Sequence, residues 1–316
     1  MAKKGLFYTT AAIILTLTIM ITFSALSSFH LNERMGVIET RIETVNFFIK
    51  DVEKDMNNGL YIASFRTLLA FNQYITSNGL FLDNVNYRFS ELFLNGTIYS
   101  QPVNLTKDST FTDWANKITA RADKANILFN YKINSVKLSQ SNPWAADIEL
   151  NLSLDIRDKK NTSYWLREKN LKTSISLIDF EDPLYIVNSQ GRLTNTIATS
   201  NLTNFVVDKN VQNLMLHMNK SNYISHNDSP SYLMRLEGNL SNSTYGIESL
   251  VNVAKFQDQG FVAKDRSIVD FIYFGAQNTV NFRINHTPSW FKIDRDHLDI
   301  YQVRNITCDP ADCVTS

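Results

Sequence analysis

Residues 5–29, GLFYTTAAIILTLTIMITFSALSSF, contain no charged side chain, and nothing else in the chain restricts its possible folds as much. A helix rises 1.5 Å per residue, so this stretch is long enough to cross a hydrocarbon core of about 30 Å. Its threonines and serines can bond back to the preceding turn, which makes them tolerable in lipid. Lys3 and Lys4 precede it and favour a cytoplasmic N-terminus, a bias that Arg34 and Arg41 on the far side reduce. As a cleaved secretory signal it fits poorly. The apolar run exceeds the usual core of about 7–15 residues, and Ala25-Leu26-Ser27 is a weak small-x-small site. An uncleaved anchor requires nothing further.

The triplet Lys3-Lys4-Gly5, set directly before the apolar run, resembles the leader of type IV pilins and archaeal pilin-like proteins. The resemblance covers about the first thirty residues. It implies processing between Gly5 and Leu6, with the membrane helix kept as the assembly element, and a partner set of pilin-like proteins or further copies of the chain. Many pilins carry Glu at the fifth mature position, where this chain has Thr10. That departure points away from a major filament subunit and towards an accessory pilin-like protein or a plain anchor.

Downstream, Met35, Ile38, Ile42, Val45, Ile49, Val52 and Met56 recur at spacings of three and four, with charged residues between them. This is a heptad seam at the lower limit for a coiled coil. Either it packs against the chain's own globular part or it forms an assembly seam with another helix. Asn57-Asn58-Gly59 suggests an interruption or kink. A second apolar helical stretch follows and ends at Ser77-Asn78-Gly79, a C-cap signal.

From Phe111 the composition shifts. Residues 113–125 read as a short helix. In DIELNLSLDIR, Ile148, Leu150, Leu152, Leu154 and Ile156 alternate with polar residues, the signature of a strand with one wet face. Residues 131–138 precede it across Ser141-Asn142-Pro143, which suggests a hairpin, and 173–178 read as a third strand. Further strands are expected at 232–236, 268–274 and 280–284, with GIESLVNVAK as a short helix.

Composition bears on location and partners. The formal net charge is zero, from 31 basic and 31 acidic residues, which gives no general attraction to nucleic acid. Asn-x-Ser/Thr triplets occur at Asn95, Asn104, Asn151, Asn161, Asn201, Asn219, Asn227, Asn239, Asn242, Asn285 and Asn305. The chain has 34 Asn and 52 Ser plus Thr in 316 residues, for which chance gives about six such triplets. The excess, and its absence before Asn95, suits an exposed outer region open to N-glycosylation. Cys308 and Cys313 are the only cysteines, and in an oxidising compartment a disulfide closing CDPADC is the natural reading.

No catalytic signature emerges. His30, His217, His226, His286 and His297 fall in no zinc spacing, and there is no nucleophile elbow, phosphate loop or dinucleotide fingerprint. DRDHLD gathers Asp294, Asp296, His297 and Asp299 but lacks the Gly and terminal Glu of a calcium loop, so a solvated turn or strand edge is expected. Glu181-Asp182 before Pro183 reads as a turn, since adjacent carboxylates rarely converge on one substrate. Trp165 and Trp290, beside polar stretches, are the aromatics to examine for an exposed binding patch.

The expected fold class is α+β, a long N-terminal transmembrane-plus-stalk helix followed by an antiparallel β-rich extracytoplasmic head. The expected division is a basic leader at 1–5, a transmembrane helix at 6–29, a helical stalk at 30–79, a β-rich domain at 80–194 and a second mixed domain at 195–316. The expected setting is a single-pass chain in the cell membrane with its N-terminus inside and its bulk at the surface. Assembly or adhesion leads among the roles. A membrane-tethered enzyme and a ligand-binding receptor head are the alternatives. The sequence singles out no catalytic residue, cofactor or metal.

Overall fold

A computed structural model describes residues 2–160, 163–309 and 313–314, and only the backbone of 2–6 and 28–34. It combines helices with antiparallel sheet and begins with helix α1, Ala2–Asn78, 77 residues without a break. Within it Phe7–Ser27 has a mean hydropathy of 2.0 and no buried residue. The hydroxyls of Thr16 and Thr18 bond back to the carbonyls of Ala12 and Ile14 at 2.9 and 2.6 Å, so this apolar segment leaves those donors satisfied internally. The expected kink at Asn57-Asn58-Gly59 is absent. Gly59 instead lets the helix pass under Trp114, whose ring atoms would lie 2.9 Å from a Cβ at that position. The helix stops at Gly79, in the left-handed conformation (φ 65°) that glycine adopts without strain.

The chain divides into two compact units. The first comprises Met1–Met56, Asn116–Lys132 and Ser153–Glu168. Within it Val45, Ile49, Val52 and Met56 are buried, while Met35 and Ile38 are exposed. The Arg41 guanidinium donates to the fully buried Asp158 carboxylate at 2.6 Å and to the carbonyls of Ala125 and Asn126 at 2.9 and 2.8 Å. The seam therefore splits: its later half packs inside this unit and its earlier half remains open.

The second unit comprises Asn57–Ala115, Ile133–Leu152 and Lys169–Ser316. Helix α2, Val85–Asn95, starts at Asn84, whose side chain accepts from Tyr87 N, and ends at Gly96. A short β1–β2 hairpin (Thr97–Ile98, Gln101–Pro102) leads to helix α3, Phe111–Lys124. Rings of Phe71, Phe89, Phe93, Phe111 and Trp114 form a chain with centroids 5.0–6.4 Å apart, in the range of favourable aromatic pairs. Strands β3 (Ile127–Asn142), β4 (Ala145–Asp158) and β5 (Tyr164–Ser176), whose residues are divided between the two units, form a sheet in the order β3-β4-β5. In β4 every second residue is buried, from Ala146 to Ile156, so the alternation read from the sequence is the burial pattern.

After β5 the elements are short: α4 Pro183–Asn188, α5 Gln212–Lys220, β6 Tyr223–Ser225, α6 Tyr232–Leu236, β7 Ile247–Ser249, α7 Val253–Asp258, α8 Asp270–Phe274, β8 Asn281–Ile284, β9 Lys292–Asp294 and β10 Thr307–Cys308. β6 pairs with β7, and β8 lies between β9 and β10. Three expectations are corrected. Residues 232–236 and most of 268–274 are helical rather than extended, and GIESLVNVAK is strand β7 followed by α7. Asn252 starts α7 by accepting from Lys255 N, a cap that cuts the segment in two. Leu214, Val251, Ile268, Phe271 and Ile293 lie in the apolar core of this part.

Candidate functional site: two charged clusters about strand β7

Strand β7 is three residues long and wholly buried. Successive strand side chains point to opposite faces, so Glu248 and Ser249 enter different surroundings. Gly246 sets the approach to the strand. A Cβ there would lie 2.1 and 2.3 Å from the carbonyl oxygens of Ser229 and His226, so only glycine admits this crossing. His226 N donates to Gly246 O at 3.1 Å, and Ser229 N closes a turn onto His226 O at 3.2 Å. The register then places Ile224 opposite Glu248 and Tyr223 opposite Ser249.

The Ser249 cluster is built on Arg235, from α6, which has no exposed surface. Its Nη1 lies 2.5 Å from Asp182 Oδ2 and 2.9 Å from Asp270 Oδ2, and Nη2 is 3.1 Å from Asp270 Oδ1. Nη2 also donates to the Ile247 carbonyl. Asp270 further accepts from Ser249 N and Oγ at 3.0 and 2.8 Å, while Asp182 accepts from Tyr223 Oη at 2.8 Å and caps α4 through Leu184 N. Burial opposes the Arg235 charge, but Asp182 and Asp270 outweigh it and hold the guanidinium above its ordinary pKa. Burial raises the Asp270 carboxyl, against the pull of Arg235. Every heteroatom of this ion pair is engaged, and the cluster fixes α4, α6, β7 and α8 together.

The Glu248 cluster is more open in its chemistry. Glu248 Oε1 accepts from Tyr301 Oη at 2.9 Å, and Oε2 accepts from Ser229 Oγ at 2.6 Å. The same Oε2 lies 3.2 Å from His297 Nε2 and 3.1 Å from His226 Nδ1. The first is a hydrogen bond. The second is a charge contact whose angle falls short of one, leaving His226 Nδ1 without a hydrogen-bond partner. His297 follows β9 in a tight turn capped by Asp294, and its Nδ1 is 2.7 Å from Asp294 Oδ1. Ser267 Oγ donates to the other Asp294 oxygen at 2.7 Å.

Two carboxylates and a buried imidazole tune each other. Burial alone lowers His297, but the hydrogen bonds of Asp294 and Glu248 reverse the effect and raise it to about 10. Burial alone raises Glu248, but His226 and His297, facing the same carboxylate oxygen, hold it well below the ordinary carboxylate value. Glu248 raises His226 against a smaller burial effect. His217 provides a contrast: enclosed by Phe205 and Tyr301, it is lowered to about 4 by burial.

DRDHLD is thus not a solvated turn, because Asp294 and His297 are buried while Asp296 and Asp299 stay outside. Glu181 and Asp182 part in the same way: Asp182 caps α4 inside, and Glu181 remains half-buried. Neither Glu248 nor His226 stands in a pattern that marks a site residue, and Glu248 and His297 are 49 positions apart. The segment pairing Cys308 with Cys313 is closed by a disulfide. Asn95, Asn104, Asn201, Asn219, Asn227, Asn239, Asn242 and Asn305 are exposed, and Asn151 and Asn285 are half-buried. Asn161 lies outside the described residues. Gly5 and Leu6 lie on helix α1, where only the backbone is described. Trp165 and Trp290 are half-buried, Trp290 against the apolar core. No protein-family model, curated protein or solved structure matches this chain.

Proposed function

We propose that this chain is a single-pass surface protein, anchored with its N-terminus inside, whose first helix serves as an anchor or a pilin-like assembly element for the region beyond it. One observation carries the reading: Phe7–Ser27 is strongly apolar and none of it is buried in the chain itself. Phe7, Ile14, Met20 and Phe23 are each more than 60% exposed. Each large apolar side chain left in water forgoes about 1.5–3 kcal/mol of burial, so such a segment needs lipid or neighbouring helices. Met35 and Ile38 are exposed as well and suit a helical partner. The exposed sequons and the disulfide agree with an oxidising exterior. The rival reading, a tethered enzyme, draws on the convergence of displaced carboxylates and imidazoles at Glu248.

The mature N-terminus of membrane-extracted protein, read by peptide mass spectrometry, tests the proposal. A start at Leu6 is expected for pilin-type processing, and a start at Met1 or Ala2 for a plain anchor. A start beyond residue 27, with the protein released into the medium, would overturn both.

A further inference from the structure

We infer that His226, Glu248 and His297 form a binding site for a single divalent transition-metal ion of zinc type. One ligand atom from each residue falls within 4.8 Å of the other two. Glu248 Oε2 stands 3.1 Å from His226 Nδ1 and 3.2 Å from His297 Nε2. Zinc holds imidazole nitrogen and carboxylate oxygen at about 2.0–2.2 Å in a tetrahedron, whose edges are then about 3.3–3.5 Å. Both measured separations are therefore within a few tenths of an ångström of a coordination edge. Two imidazoles and one carboxylate are a zinc donor set, harder and more oxygen-rich cations being served by carboxylates and carbonyls instead.

The surroundings carry the inference further than the triplet alone. A metal-bound imidazole is ordinarily oriented by an acceptor on its other nitrogen, commonly a carboxylate. His297 has one: its Nδ1 meets Asp294 at 2.7 Å, and Asp294 is itself fixed by Ser267. His226 Nε2 has Asp228 3.9 Å away, a charge contact beyond hydrogen-bond reach. Glu248 is likewise held on both oxygens, by Tyr301 and Ser229. His226 Nδ1, the atom facing the carboxylate, has no hydrogen bond to satisfy it. Glu248 is fully buried and His226 keeps 22% of its side chain exposed, so an ion enters from the His226 side and a water can take the fourth position there. Three elements distant in sequence would be pinned by that ion: the turn after β6, strand β7 and the turn after β9.

The test is made on tag-free full-length protein in detergent, stripped with EDTA and titrated with zinc chloride against a chromogenic chelator, with thermal unfolding followed in parallel. One zinc per chain and a rise in Tm with zinc are expected. His226→Ala removes the most exposed of the three ligands and leaves Glu248 paired with His297, so it should fold and lose about 100-fold or more in affinity. Asp294→Asn, which removes the charge of the acceptor behind His297 and keeps its size, should cost about 10–100-fold. His286→Ala changes an exposed histidine elsewhere and should leave binding as it was. Folded protein that takes up no zinc, or a His226→Ala variant that binds it with unchanged stoichiometry and affinity, would overturn the inference. The cluster would then be a charge network with His297 protonated between two carboxylates.

Discussion

In strand β4 the inward residues are Ala146, Ile148, Leu150, Leu152, Leu154 and Ile156. Around strand β7 the inward residues include Asp182, Arg235, Glu248, Asp270, Asp294 and His297. Both regions exclude water, but the first does so with side chains that ask nothing of their neighbours, and the second with groups that must each find a counterpart. Apolar burial adds up in increments and tolerates exchange. A buried charge is cheap only while its whole partner set is in place, and losing one member leaves the others desolvated and unpaired. The difference is therefore in how each region fails.

Arg235→Met should show that contrast most strongly. It strands Asp182 and Asp270 in the core and is expected to cost about 3–5 kcal/mol, whereas Leu150→Ala in β4 should cost about 2–4 kcal/mol through lost burial and a cavity. Arg235→Lys should recover only part of the loss, because an ammonium cannot supply the fork that reaches both aspartates and the Ile247 carbonyl. Chemical denaturation of the three variants against the parent reads all these values. If Leu150→Ala were the more damaging by a clear margin, the charged cluster would not be the keystone of its region.

Acid should separate the two regions next, through His217. Burial lowers its pKa to about 4, while in the unfolded chain an imidazole titrates near 6.5. Between those values the unfolded state binds the extra proton, so stability rises with pH across this window. The contribution is complete above about pH 6.5 and is lost as pH falls towards 4, with a ceiling of about 3 kcal/mol. The expected sign is thus a falling Tm from pH 6.5 to 4, flattened in His217→Gln. No imidazole lies in β4, so Leu150→Ala should shift the whole curve without changing its slope.

These regions also differ in how far the sequence exposes them. The burial of β4 repeats every two residues, and a period of that kind is visible in eleven letters. Around β7 the relevant residues come from segments too short to carry a period. Tyr232–Leu236 and Asp270–Phe274 are five-residue segments, each with one charge among four apolar side chains, that suit a strand or a helix equally well, and context decides. Here the context is Arg235 and Asp270, one on each run, which meet through a charge pair. Glu248, His226 and His297 share no spacing at all. Their proximity is a product of the β6–β7 pairing and of the Gly246 crossing, both non-local. Asn252 and Asp182 do act locally, as helix caps, but a cap fixes where a helix starts and not which charges meet across the fold.

Gly59 gives the smallest expected effect and the finest test of the same lesson. Read locally, Asn57-Asn58-Gly59 weakens a helix, and Gly→Ala in a helix interior ordinarily gains about 1 kcal/mol. Read in the fold, the helix runs through and Gly59 faces the Trp114 ring, three of whose atoms would lie 2.9–3.0 Å from the new Cβ. Overpacking of this kind costs about 1–3 kcal/mol, and Trp114 belongs to the aromatic chain through Phe111 and Phe93, which resists its displacement. Gly59→Ala is therefore expected to destabilise by about 1 kcal/mol net, with a blue or red shift of tryptophan fluorescence marking the moved ring. A gain in stability instead would mean that helix propensity outweighs the contact, and that Trp114 yields at its half-exposed edge.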